Sequence, residues 1–418
     1  MIIRGASVFG PDLHFHTGQD IVIRDGVFTA AGQNQTAPGE EAAEGSRILP
    51  GEEIVDGSGC YAIPGLIDIH FHGAMGQDVC DGTPEAFETI AAYEASIGVT
   101  SICPATLTLP VEELCQVLRT GAEFSRRLKR AAGDQRLQLM ADLIGFNMEG
   151  PFISHVKKGA QNEKYILRCD ADIAQRFLDA SEGLVKLIGL APEENPDFES
   201  YIHKMKDRVR ISLAHTNADY ETARRAFDAG ACHAVHLYNA MSGLSHREPG
   251  VVGAALDSPH VCAELICDGV HVHPAAVRAA FRLFGPERIV LISDSLRATG
   301  MPDGQYMLGG QEIVKRGSVC RLAGSGSPSE TGTDSVAAGS LAGSVTNLAD
   351  CVRTAVREME IPLEEAVAAA TINAARAIGE DARYGSIEPG KIGNVVLLKT
   401  DPALALQAVI LRGQVLGK

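Results

Sequence analysis

Between residues 61 and 293 the chain alternates eight short apolar runs with amphipathic stretches, and that rhythm leaves few folds open to it. The runs lie near 61–70, 99–106, 141–147, 184–190, 209–214, 231–236, 262–266 and 289–293. Helical spacing fills most of the intervals, as at 84–96, 111–131, 217–229 and 274–284. Parallel strands need crossovers of this length, and eight strand–helix units over roughly 250 residues match an α/β fold of the (β/α)8, or TIM-barrel, type. A doubly wound open sheet competes. The barrel is favoured because a polar residue stands at the end of run after run, where barrel enzymes place their active sites.

The two chain ends have a different character. Ile21-Val22-Ile23-Arg24-Asp25-Gly26-Val27-Phe28 carries an Asp-Gly turn between β-rich runs, a hairpin signal. Residues 32–52 read as a solvated loop. Near the other end, Gly385 to Gly390 is a turn, and Asn394 to Leu398 and Ala408 to Leu411 read as strands. The expectation is a small β-sandwich domain built from 1–58 and 380–418, around a catalytic barrel of 59–379. The Ser/Gly-rich stretch from Gly324 to Thr333 reads as a loop, either a surface insertion or a cover over the site.

Composition excludes several classes of function. A net charge of −16 argues against a nucleic-acid binder, which needs a cationic face. No run of about 18 apolar residues suggests a membrane span. Met1 to Ser7 lacks the long apolar core of a signal peptide. The ten cysteines include no C-x-x-C pair and read as reduced thiols of a cytoplasmic protein.

Six places carry candidate chemistry. His70 and His72 in Ile69-His70-Phe71-His72-Gly73 share one face if the strand continues through them, and are either paired metal ligands or chance surface histidines. Glu149 ends an apolar run just before Gly150-Pro151, as a turn residue or an inward ligand. His215 and His236 end two successive strands, and with Glu149 and the His70–His72 pair they suit zinc or a similar ion with one position left for water. His233, an odd number of residues from His236, is expected to face away. Asp294 ends the last run as an N-cap or as a proton acceptor beside an activated water. His271 is placed to contact substrate, whereas His273, before Pro274, caps a helix or faces solvent.

Together these segments resemble the amidohydrolase superfamily and, within it, the N-acetylglucosamine-6-phosphate deacetylase family. The matching residues are Pro64 to Gly73, Glu149-Gly150-Pro151-Phe152, Ala214-His215-Thr216-Asn217-Ala218, His236-Leu237-Tyr238-Asn239-Ala240-Met241, Asp268-Gly269-Val270-His271, Ser293-Asp294-Ser295 and Leu341-Ala342-Gly343-Ser344. The resemblance covers essentially the whole chain. It implies a divalent metal, zinc first with iron, manganese or cobalt as alternatives, held by Glu149, His215 and His236. Some family members carry Gln-x-Asn in place of His-x-His and bind one metal. Here both histidines are kept, which implies a second ion on His70 and His72, hence one or two per chain.

Asp294 is implied as the proton acceptor, with His271 assisting at the acetyl oxygen. Asn239, Ala240 and Arg247 match the phosphate-binding positions. Arg247 reaches a neighbouring subunit in this family, so a homodimer follows. Ala160 and Gln161 lie where the acetyl group is oriented, Gln161 standing where some relatives carry histidine. Lys157 and Lys158 before them read as a solvated loop. The resemblance thus implies a small phosphosugar as the only partner besides a second copy. The rivals are the galactosamine-epimer deacetylase, another amidohydrolase, and a catalytically dead barrel acting as a binding protein.

Overall fold

The computed structural model describes residues 1–33, 49–131, 133–323 and 340–417. All of the Ser/Gly-rich 324–335 stretch and most of the 32–52 loop lie outside the described residues. Eight parallel barrel strands run Leu66–Asp68, Val99–Ile102, Phe146–Met148, Val185–Leu190, Arg210–Leu213, His233–Ala234, Cys262–Ile266 and Ile289–Ile292. The second continues as Ala105–Thr106, and the third is preceded by Asp142–Leu143. Closure between the last and first strands is made just past their ends, where Asp294 N donates to His70 O (2.9 Å) and His72 N to Ser295 O (2.7 Å). Below them Ser293 Oγ donates to Asp68 Oδ2 at 2.5 Å. Ile67, Ile69, Cys103, Leu187, Ile266, Val290 and Ile292, drawn from strands around the barrel, share one buried apolar cluster. Such a cluster makes the interior a packed core, so the chemistry is confined to the rim.

The helices form where local signals favour them. Pro84–Ser96 has Thr83 as its cap, the hydroxyl accepting from Ala86 N, and proline at the first position. Pro274–Phe284 repeats the pattern, with His273 accepting from Ala275 N, the capping role expected of it. Tyr220–Ala229 begins later than the apolar spacing suggested because Asp219 caps it.

Strands from both chain ends join one eight-stranded sheet. Its centre is Cys60–Pro64, flanked by Ile2–Phe9 on one side and Val395–Lys399 on the other. The hairpin Phe15–Arg24 to Val27–Gln33 turns at Asp25 (φ 50°) and Gly26 (φ 77°), as the Asp-Gly pair requires. The run 61–70, read as one strand, is two. At Gly65 the backbone changes partners: Gly65 N donates to Asn394 O in the terminal sheet, and Leu66 N to Gly98 O in the barrel. A Cβ at Gly65 would collide with Thr100 Oγ1, so only glycine lets the chain pass so close.

A further antiparallel sheet, Gly304–Leu308, Gln311–Arg316 and Val319–Leu322, follows the barrel and was not anticipated from the sequence. It turns on Gly309-Gly310, both at positive φ, and packs Leu308 and Ile313 with Leu107 and Leu296. No helix among the described residues is long and apolar enough to cross a membrane.

Candidate metal centre and active site

The residues that end the barrel strands converge. His215 and His236 follow the fifth and sixth strands, Asp294 the eighth and Glu149 the third. His215 (φ 44°), His236 (φ 31°), Ala240 (φ 48°) and Asp294 (φ 50°) all adopt the left-handed backbone that non-glycine residues avoid. That strain, held by the surrounding fold, is concentrated where the side chains must be aimed. His70 and His72 lie beyond their strand, which stops at Asp68. Their convergence therefore comes from the loop that closes the barrel and not from strand pleating.

Glu149 is the centre of the group. Its Oε1 lies 2.9 Å from His215 Nε2, 3.0 Å from His236 Nε2 and 3.4 Å from His70 Nε2. Its Oε2 lies 3.5 Å from His72 Nε2. Asp294 Oδ1 is 3.3 Å from His72 Nε2 and 3.8 Å from His70 Nε2. Every Nδ1 faces an oxygen: Glu264 Oε2 for His70 (2.8 Å), Ala105 O for His72 (3.1 Å), Lys157 O for His215 (2.8 Å) and Asn239 O for His236 (3.1 Å). A backbone carbonyl or an ionised carboxylate only accepts, so each Nδ1 carries a proton and each ring, when neutral, turns a lone pair inward from Nε2.

This donor set fits a divalent cation. Four inward lone pairs and two carboxylates form a nest of acceptors, and His70 Nε2 is buried with no hydrogen-bond partner. Two overlapping groupings that share His70, His70–His72–Asp294 and His70–Glu149–His236, bring ligand atoms close enough to hold an ion. Imidazole with carboxylate suits zinc and its neighbours. Protons are drawn to the same place. Burial opposes charge on His215, but Glu149 outweighs it and holds the imidazole above its usual range. Burial likewise disfavours the Glu149 anion, yet His215, His236 and His70 hold its carboxyl well below the ordinary value. Asp294 is also held low, His72 and His70 prevailing over desolvation.

A cavity of about 340 Å³ opens over the nest. Of the residues proposed from sequence, His72, Glu149, Ala160, Gln161, His215, His236, Asn239, Ala240, His271 and Asp294 line it. His70 lies beneath, fully buried. Arg247 sits on an exposed loop after the sixth strand and does not line the cavity of its own chain. Lys157, read as loop, is among the lining residues, and its carbonyl orients His215. Gln161 donates from Nε2 to Glu149 Oε2 and accepts from Thr108 N at 2.7 Å. His271 Nδ1 bonds Asp268 Oδ2 at 2.7 Å. Burial lowers its basicity, but Asp268 prevails and the imidazole lies above its ordinary range.

Sequence reasoning missed Glu264 and the lining residues Leu107, Leu296 and Leu308. A charge in mid-strand, in Cys262-Ala263-Glu264-Leu265-Ile266, was the available signal for Glu264. The Gly309-Gly310 pair between β-rich runs was the signal for the sheet that supplies Leu308.

Residues 61–416 match the amidohydrolase family model. The chain is 34% identical over 353 residues to N-acetylglucosamine-6-phosphate deacetylase of Bacillus subtilis, covering 84% of each. It is 36% identical over 351 residues to N-acetylgalactosamine-6-phosphate deacetylase of Escherichia coli O157:H7, covering 84% of this chain and 86% of that one. Among solved structures, a mutant N-acetyl-D-glucosamine-6-phosphate deacetylase of Mycobacterium smegmatis in complex with N-acetyl-D-glucosamine 6-phosphate superposes with a TM-score of 0.83 at 30% identity, over 99% of this chain and 98% of that chain.

Proposed function

The chain belongs to the amidohydrolase family, and from that premise we propose that it hydrolyses the N-acetyl group of N-acetylglucosamine 6-phosphate, releasing acetate and glucosamine 6-phosphate. The observation that carries this reading is the Glu149–His215–His236 nest with Asp294 3.3 Å from His72 Nε2, open to one cavity. About 340 Å³ lies in the range of small-molecule sites.

Glu149, His215 and His236 would hold the primary cation and His70 and His72 a second, zinc being favoured over iron, manganese or cobalt by the nitrogen-rich donor set. A bound divalent ion lowers the pKa of its water and polarises a carbonyl oxygen. Asp294, ionised because its carboxyl is held low, takes the proton of the attacking water and returns it to the departing amine. His271 is held by Asp268 with its free nitrogen available to the acetyl oxygen, and a raised pKa favours the protonated, donating form. Asn239 and Ala240, which line the cavity, would take the phosphate. Arg247, on its exposed loop, supplies the cation to the site of a second copy in a homodimer. A cytoplasmic location accords with ten unpaired cysteines.

Acetate release measured with N-acetylglucosamine 6-phosphate and with unphosphorylated N-acetylglucosamine tests the reading. The phosphosugar should be preferred by a large factor in kcat/KM. Equal or better turnover of the free sugar would exclude it. The Escherichia coli relative favours one second reading, the galactosamine epimer. Including N-acetylgalactosamine 6-phosphate in the same assay separates the two.

A further inference from the structure

The barrel interior holds one carboxylate that the proposed reaction does not use. Glu264, on the seventh strand, has no exposed surface. It receives His70 Nδ1 at 2.8 Å on Oε2, together with His236 N at 3.1 Å, and His233 Nε2 at 2.9 Å on Oε1, with Asn147 Nδ2 at 3.4 Å. Residues following or within the first, third and sixth strands therefore meet on one side chain. No lysine or arginine is among these partners, and a buried carboxylate held only by imidazoles and amides is a costly way to fill a core. A purely structural core would be served as well by apolar side chains in place of the whole polar set.

We propose that Glu264 is the positioning residue that commits His70 to cation binding at the His70–His72 position already assigned above, and that it ties this position to the first through His236. The proposal rests on the metal-dependent reading above. His72, His215 and His236 lean on backbone carbonyls, whereas His70 alone of the four leans on a carboxylate. A carboxylate behind an imidazole fixes its tautomer and raises its donor strength toward a metal. His70 Nε2, at the far side of the ring, is the buried atom without a partner, facing Glu149 Oε1 and Asp294 Oδ1. His233 holds the other oxygen and so sets the plane of the carboxylate. His233, expected from the sequence to face away, instead bonds the buried carboxylate directly behind the site and anchors the group that orients His70. The same carboxylate holds His236 N, and Glu264 O accepts from Leu237 N at 2.8 Å, bracing the strained turn (φ 31°) that aims His236 at the primary position.

The test is cobalt(II) or zinc binding to the full chain, followed by metal analysis during titration with a chelator and by the cobalt d–d spectrum. The wild-type chain should hold two ions and Glu264→Gln one, with the second ion weakened about 10- to 100-fold and the first unchanged. His70→Asn should lose the same ion and the same spectral component, and the double variant should lose no more than either single one. Circular dichroism and melting temperature report folding of each variant. If Glu264→Gln does not fold, His233→Gln, which leaves the Glu264–His70 bond in place, should still weaken the second ion several-fold. Wild-type affinity for both ions in a folded Glu264→Gln or His233→Gln overturns the proposal. A wild-type chain that binds one ion overturns it while leaving the proposed deacetylase intact. A chain that binds none refutes both.

Discussion

The Nε2 atoms of His215 and His236 lie 3.2 Å apart, with Glu149 Oε1 2.9 and 3.0 Å from them. Two imidazole lone pairs so close repel unless a cation or a proton lies between them. Chelation should abolish turnover, and added zinc should restore it. Because the ion binds the folded chain, it should also stabilise it, by about 4 kcal/mol when free metal exceeds the Kd a thousandfold. Melting curves with and without chelator check this; an unchanged melting temperature and unchanged turnover would refute it.

Asp294 is the only residue proposed to move a proton twice. Asp294→Asn should keep the Glu149–His215–His236 ion, measured by metal content, while kcat falls by roughly 10² to 10⁴. Turnover near the wild-type rate would remove Asp294 from the role.

Arg247 lies outside the cavity of its own chain. If it serves a second copy, Arg247→Ala should raise KM for the phosphosugar about tenfold or more with kcat little changed, and leave free N-acetylglucosamine unaffected. Sedimentation should show a dimer. A monomer with wild-type KM would contradict both parts.

Gly121 sits inside the helix Val111–Lys129, where alanine is ordinarily better by about 1 kcal/mol. A Cβ there would collide with the ring of Phe146, itself fully buried against Phe87. Overpacking of this kind costs about 1–3 kcal/mol, so the steric effect outweighs propensity and Gly121→Ala should destabilise. Denaturant unfolding of the metal-loaded protein decides it; a gain in stability would show that the ring gives way freely.

Glu52 pairs with Arg24, Oε1 to Nε 2.7 Å, and accepts from Leu49 N at 2.8 Å. The Arg24 hydrogen bond and then the Leu49 amide bring its carboxyl down from 4.5 to about 2. A depressed carboxylate stabilises the folded chain fully above the unfolded value, and that stability is lost as pH falls from about 4.5 toward 2. Glu52→Gln should therefore reduce stability at neutral pH and flatten its decline over that interval. An acid limb as steep as that of the wild type would show that the pair contributes nothing.

Much of the frame was legible because its signals are local. The spacing from Pro84 and the pair His273-Pro274 marked helix starts at the residues where the helices begin. Asp25-Gly26 marked its hairpin, since few other residue pairs tolerate two successive positive φ angles. The polar residues ending apolar runs marked the rim, because in a parallel barrel every strand points the same way.

The linear order of residues thus determined where strands and helices form and which side chains reach one end of the barrel. Tertiary structure alone decided the rest. It split the run 61–70 at Gly65, because the two halves hydrogen-bond to segments nearly 300 residues apart, around Asn394 and Gly98, an assignment that no local pattern encodes. It brought His70 and His72 to Glu149 through barrel closure, 79 and 77 positions away along the chain, and placed Glu264 behind His70 across 194 positions. Periodicity and caps act over one or two turns of backbone, whereas the distance between an imidazole and a carboxylate from different strands depends on how the whole barrel closes.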